Sequence, residues 1–165
     1  MKKVFFIFAL FSLFIFSIYF FYRSYAFIFF VKDRQVIKLV LKENFFASKE
    51  KELLVEVVRT KQSTTEGLSN RKSLESVNGQ KIDGLLFIFP EKTVRRFWMK
   101  EMLFNIDICW LNNLDFLSCQ RSAQLPSPGE DLKIYSSNSD SNVVLETNPN
   151  RLSDDDLKLK LFFQW

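Results

Sequence analysis

The sequence predicts an α+β fold that is mostly β: a small, partly closed β-barrel-like domain with one or two short helices, preceded by an N-terminal transmembrane helix. Two observations carry this. From residue 36 onward, short apolar or alternating segments recur between turn residues, which is the pattern of many short strands. Before residue 32 the chain is almost continuously apolar, and 11 of its 20 phenylalanines fall within the first 30 residues. The expected division is therefore 1–31, a membrane anchor or signal segment, and 36–165, a β-rich domain.

Residues 4–22 are nineteen in a row without a charge, enough to span ~28 Å as a helix, close to the thickness of a bilayer core. Phe and Ile surround the whole circumference, as suits lipid better than a protein core. Lys2 and Lys3 favour a cytoplasmic N-terminus and a single pass, with the C-terminal domain outside the cytoplasm. The alternative is secretion after cleavage near Ser24-Tyr25-Ala26, although the apolar run exceeds the usual length of a signal peptide.

Gln35–Lys42 and Glu52–Thr60 read as strands of an opening hairpin, the second with Leu53, Val55 and Val57 on one face and Glu56 on the other. Thr64 or Thr65 would cap a short helix reaching Ser69. Asn78-Gly79 marks a turn. Gly84–Phe89 is a short, wholly apolar strand that Pro90 is expected to end, since proline lacks the N–H of the next ladder bond. Thr93–Met99 alternates, with Phe97 and Met99 on one face and Arg96, Trp98 and Lys100 on the other. A third strand starts near Ile106.

Asn112-Asn113 is expected to form a two-residue hairpin turn. That register would hold Cys109 and Cys119 roughly 10 Å apart, beyond disulfide reach, so two free thiols are expected. Residues 123–141 are rich in loop residues, as a surface excursion or a lid would be. Asn142–Thr147 is a strand stopped by Asn148-Pro149. Ser153 and Asp154–Asp156 suggest one helical turn, and Leu157–Phe163 alternates as a closing strand.

Composition narrows the chemistry. The chain has no histidine and only two cysteines, which removes the commonest general base and any Cys/His zinc site. No cofactor and no metal site is expected. The net charge of +4 is scattered, giving no nucleic-acid footprint. No glycine-rich phosphate loop and no G-x-S-x-G elbow is present.

The central motifs carry a resemblance. Glu66-Gly67-Leu68-Ser69-Asn70-Arg71, Gly84-Leu85-Leu86-Phe87-Ile88-Phe89, Phe97-Trp98-Met99-Lys100, Ile106-Asp107-Ile108 and Val144-Leu145-Glu146 follow in order. Together they resemble the uncharacterised domain-of-unknown-function family 192 (DUF 192) over about residues 36–161. Glu101-Met102 stands where that family usually has Asn-Thr, Phe104-Asn105 where it has Pro-Leu, and Glu66 where it has Arg.

These motifs mark Arg71, Trp98, Lys100, Asp107 and Glu146 as candidate ligand-binding residues, with no catalytic candidate. Trp98 would offer a flat platform, the cations would hold an anionic group, and the carboxylates would fix hydroxyls or amines. Alternatively, Arg71 or Lys100 pairs with Asp107 or Glu146 as an internal ion pair. The expected function is a membrane-anchored extracytoplasmic domain that binds a small ligand or cell-envelope component without catalysis. A second reading is an interaction module using exposed edge strands, Val36–Leu41 and Leu157–Phe163. The least favoured is a carboxylate-dependent hydrolase. The expected partners are the lipid bilayer, through residues 4–22, and a small ligand or envelope protein, with no nucleic acid.

Overall fold

The computed structural model describes residues 8, 10–17, 30–44, 46–49, 51–127, 129 and 131–164. The chain divides into two units, residues 1–31 and 32–165. In the first, residues 10–17 are helical, with Phe11, Leu13, Phe14, Ile15 and Phe16 all exposed. The expected span over 4–22 otherwise lies outside the described residues, among which no helix is long and apolar enough to cross a membrane.

The second unit is β-rich. In order it contains β1 (Val36–Lys42), β2 (Lys51–Val58), α1 (Lys61–Glu66), β3 (Gly84–Thr93), β4 (Arg96–Trp98), β5 (Ile106–Asn112), β6 (Asp115–Ala123), β7 (Ile134–Ser136) and β8 (Ser141–Thr147). A 3-10 turn over Asp156–Lys158 leads into β9 (Lys160–Gln164). Seven of these strands close a barrel in the order β1-β2-β3-β8-β5-β6-β9, while β4 and β7 form a separate two-stranded ribbon. The barrel is closed where a partly closed one was expected.

Closure changes the edge strands. β1 pairs with β9 over Lys38–Lys42, so the two strands expected to present free edges satisfy each other's backbone groups. The seam between β6 and β9 is thinner, made by the Asp115–Lys160 bridge and by Leu161 N–H donating to Leu114 O at 3.2 Å.

The register sorts side chains into two layers. Val57, Leu86, Leu145 and Cys109 are cross-strand neighbours on one face, as are Ile88, Val143 and Leu111. All are buried, and together with Leu39, Leu53 and Leu161 they fill the barrel's interior. The alternate residues Val58, Leu85, Phe87, Ile108, Trp110 and Val144 face outward, yet they are buried too. They are covered by Leu68, Leu74 and Ile82 from the segment after α1, and by Met99 and Tyr135 around the ribbon.

β2 and β3 are parallel, and a parallel pair requires a crossover rather than a hairpin. Residues 59–83 supply it. Thr60, not Thr64 or Thr65, caps α1: its hydroxyl accepts from Ser63 N–H, and Ser63 Oγ accepts from Thr60 N–H. The helix ends at Gly67, whose φ of 48° suits a residue without a Cβ.

Three other expectations need correction. Pro90 does not end β3, which runs to Thr93; the ladder to β8 breaks between Ile88 and Thr93, and Pro90 sits within that irregularity, where no ladder N–H is required. The hairpin turn falls on Asn113-Leu114, with Asn112 opposite Asp115. A further shift between Trp110 and Leu111 then sets Cys109 directly opposite Cys119. Their Cα atoms are 4.0 Å apart and the sulfurs are bonded, so the thiols are not free. Residues 123–141 keep the expected surface character, mostly exposed among the described residues, and are held by β7 pairing with β4 and by the Tyr135 hydroxyl, which accepts from Gln124 N–H.

Gly84 shows how tightly β3 meets β8. A Cβ there would stand 2.3 Å from the Glu146 carbonyl oxygen and 3.0 Å from Thr147 Cγ2. Because backbone cannot yield as a flexible side chain can, Gly84→Ala is expected to cost about 3 kcal/mol. Gly79→Ala, whose Cβ would meet nothing within 4 Å, should cost only its φ strain, about 1 kcal/mol. Denaturant titration of both variants checks this, and equal losses would sink the close-packing account.

Candidate functional site

The same outward face that buries apolar residues also carries two carboxylates. Glu56 on β2 is opposite Leu85 on β3, and Leu85 is opposite Glu146 on β8. The three therefore form one row across the sheet, with the acids two strand spacings apart, roughly 10 Å. Their surroundings differ sharply.

Glu56 is fully buried and fully engaged. Arg71 meets it with both Nη atoms at 3.0 Å, Arg34 Nη1 donates at 2.8 Å, and Val77 N–H donates at 3.0 Å. Burial pushes its pKa up, but the Arg71 and Arg34 hydrogen bonds and charges outweigh that, and the net shift is downward. Arg34 also pairs with Glu66. This network clamps the crossover onto β2.

Glu146 is 5% exposed, and its Oε2 has no hydrogen-bond partner among the described residues. Burial pushes its pKa up to about 8, only partly opposed by the charge of Arg71. At neutral pH it therefore holds its proton.

Glu146 lines a cleft of about 350 Å³ on the barrel's outer wall. One side of the cleft is the end of α1 and the turn after it, from Thr64 to Ser69; the other is the segment Val94–Trp98. Phe87 and Phe89 of β3 form its floor, with Met102 beside them. Phe97 meets Phe87 edge-on, at a centroid distance of 5.1 Å, and the Arg95 guanidinium lies 3.9 Å over the Phe89 ring. Trp98 is 53% exposed, a surface platform rather than a core residue. Gly67 belongs to this wall: a Cβ there would stand 3.3 Å from Phe87 Cζ.

Of the five residues marked in the sequence, the structure brings Trp98 and Glu146 to this cleft. Arg71 stands behind it, bound to Glu56 and felt by Glu146 through its charge. Lys100 is exposed and faces Glu101 at 3.9 Å. Asp107 neighbours Ile108, the cross-strand partner of Glu146, so it points to the opposite face of the sheet. There Oδ2 accepts from Arg121 Nη1 and Asn150 N–H, and Oδ1 accepts from Ser122 N–H. The ion pairs expected between Arg71 or Lys100 and Asp107 or Glu146 do not form among the described residues: Arg71 pairs with Glu56, Arg121 with Asp107, and Lys100 faces Glu101.

Sequence reasoning missed Phe87, Phe89, Arg95, Arg96 and Phe97 as cleft residues. The available signal was Arg95-Arg96 set directly before Phe97-Trp98, two cations beside two aromatics. Glu56 carried a signal as well, an acid set within the apolar run Leu53–Val58. The departure at Glu101 is a matter of backbone: its φ is 58°, a left-handed turn position that asparagine tolerates better. The departure at Met102 does reach the cleft.

Fold and cleft together define a closed, seven-stranded barrel domain with an aromatic cleft on its outer wall. The chain belongs to the DUF192 family, described as "Uncharacterized ACR", whose model matches residues 44–159. No curated protein matches it. Among solved structures, it is similar to a "putative transcription regulator" from Sinorhizobium meliloti 1021, at 18% identity and a TM-score of 0.62 over 81% of this chain and 97% of that one. It is also similar to a protein of unknown function from Novosphingobium aromaticivorans DSM 12444, at 17% identity and a TM-score of 0.60 over 79% of this chain and 86% of that one. At these identities the likeness establishes the fold.

The two acids of the row predict opposite pH behaviour. Glu56 has a lowered pKa, so its contribution is present above the ordinary carboxylate value and lost only as pH falls through its folded value. Glu146 is raised from 4.5 to about 8, so its contribution is full below 4.5 and is lost as pH rises toward and through 8. Stability should therefore decline between pH 6 and 8, by at most about 1.4 kcal/mol per pH unit for one proton. Glu146→Gln should flatten that slope. Denaturant midpoints at pH 6, 7 and 8 for both proteins measure it; an identical slope in the variant would mean that Glu146 does not carry the proton.

Proposed function

We propose that the barrel domain is a non-catalytic binding module that takes a small ligand or cell-envelope component in the cleft between Trp98 and Glu146. The observation that carries this is the buried Oε2 of Glu146, unpartnered among the described residues, on an aromatic-walled cleft. An orphan polar atom at such a site costs stability unless something outside the chain satisfies it. Carboxylate-pair hydrolysis fits less well, because Asp107 faces the other side of the sheet and both its oxygens are engaged. The edge-strand reading loses its support, since β1 and β9 pair with each other.

The test is native mass spectrometry of the full chain isolated from cells. A small added mass is expected, and it should be lost in Trp98→Ala with the fold retained, because Trp98 is largely exposed. If that variant unfolds, Trp98 is a structural residue and the reading loses its platform.

The reading extends to location: the domain lies outside the cytoplasm, held at the membrane by the N-terminal segment. The Cys109–Cys119 bond supports this, because disulfides persist in oxidising compartments. So do the apolar side chains exposed around residues 10–17. If thiols are blocked with a maleimide before cell lysis, the chain should carry no adduct until it is reduced. Two adducts without reduction would place the domain in a reducing compartment.

A further inference from the structure

The charges around the cleft are not balanced. Arg34 and Arg71 are neutralised against Glu56 and Glu66. Arg95 and Arg96 have no carboxylate partner among the described residues. Among the described residues the Arg95 guanidinium donates only to backbone carbonyls, Nε to Ser141 at 3.3 Å and Nη2 to Glu91. Burial lowers its pKa from the ordinary arginine value, opposed only by the charge of Glu91. Arg96 is exposed at the rim. With its proton on, Glu146 adds no negative charge, so the cleft presents a positive field over apolar walls.

A cation would meet repulsion from Arg95 and Arg96 and would have to strip the proton from Glu146. A neutral sugar would leave both guanidiniums unused. From the geometry we infer that the cleft takes a planar, apolar molecule bearing an anionic group: its ring against the exposed Trp98 platform, its anion at Arg95 and Arg96, and a hydrogen-bond acceptor facing Glu146. A flat ring suits aromatic walls, and guanidinium is the side chain best matched to a carboxylate, sulfonate or phosphate. This deepens the binding reading above and rests on it.

The experiment is isothermal titration calorimetry of the full chain in non-ionic detergent, with ligand-into-detergent heats subtracted. The probes are three naphthalenes of one shape: 2-naphthoate, 2-naphthol and 2-naphthylmethylammonium. A charge-assisted hydrogen bond predicts that 2-naphthoate binds about tenfold or more tightly than 2-naphthol, with the amine weakest. Arg96→Gln, an exposed change that leaves the core alone, should reduce the preference, and Arg95→Gln with Arg96→Gln should abolish it.

Tightest binding of the amine overturns the anionic assignment. A preference that survives removal of both arginines overturns it as well. Equal affinity for all three probes, weakened by Trp98→Ala, overturns the anionic class while the binding reading stands. Affinities that Trp98→Ala does not change overturn both.

Discussion

The buried carboxylate of Glu56 is the pin on which the rest of this domain depends. β2 and β3 run parallel, so the chain must leave the barrel at Val58, cross its outer wall, and return at Gly84. That path is held by Glu56, which draws in Arg34 from before β1, Arg71 from the middle of the crossover and the backbone of Val77 from its far half. An ionised carboxylate is costly to bury, and this one is tolerated because every one of these donors is aimed at it. With the crossover clamped, Leu68, Leu74 and Ile82 cover the outward faces of β2, β3, β5 and β8. The cleft is the gap that remains between this cover and the segment leading into β4.

The contrast between Glu56 and Glu146 follows from position in one row of the sheet. Both sit on the outward face, separated by Leu85. Arg71 of the crossover and Arg34 from before β1 bring two guanidiniums to Glu56, and among the described residues none lies within hydrogen-bonding distance of Glu146, so burial decides the second acid and charge decides the first. Gly84 reinforces this by letting β3 close against the Glu146 backbone. The two environments push identical side chains to opposite protonation states at neutral pH, an arrangement suited to a site that offers a neutral donor inside and cations at its rim.

Much of the strand pattern was legible because alternation and turn chemistry are local. The β1–β2 hairpin, the split of Phe97 and Met99 from Arg96, Trp98 and Lys100, and the stop after Thr147 all follow from periods of two and from Asn, Gly and Pro. The misreadings share one cause. Pro90 reads locally as the end of a strand, but a strand can outlast its ladder where a bulge removes the need for an N–H. An ideal hairpin at Asn112-Asn113 would hold Cys109 and Cys119 apart; a turn moved by one residue, together with one bulge, brings them face to face. Bulges arise from the twist and closure of a sheet, which no window of a few residues encodes.

By itself, the sequence determined a β-rich domain following an apolar N-terminal segment, its family motifs, and the absence of histidine chemistry, because composition and short-range period are properties of the chain alone. It also marked Trp98 and Glu146. Only the tertiary structure decided that these two share a cleft while Asp107 faces the other way, that Arg71 serves Glu56, and that Glu146 keeps its proton. Those outcomes depend on which strands become neighbours and on what covers each face. Pairing β3 with β8 and routing the crossover over the outer wall set both, bringing together residues more than 70 positions apart.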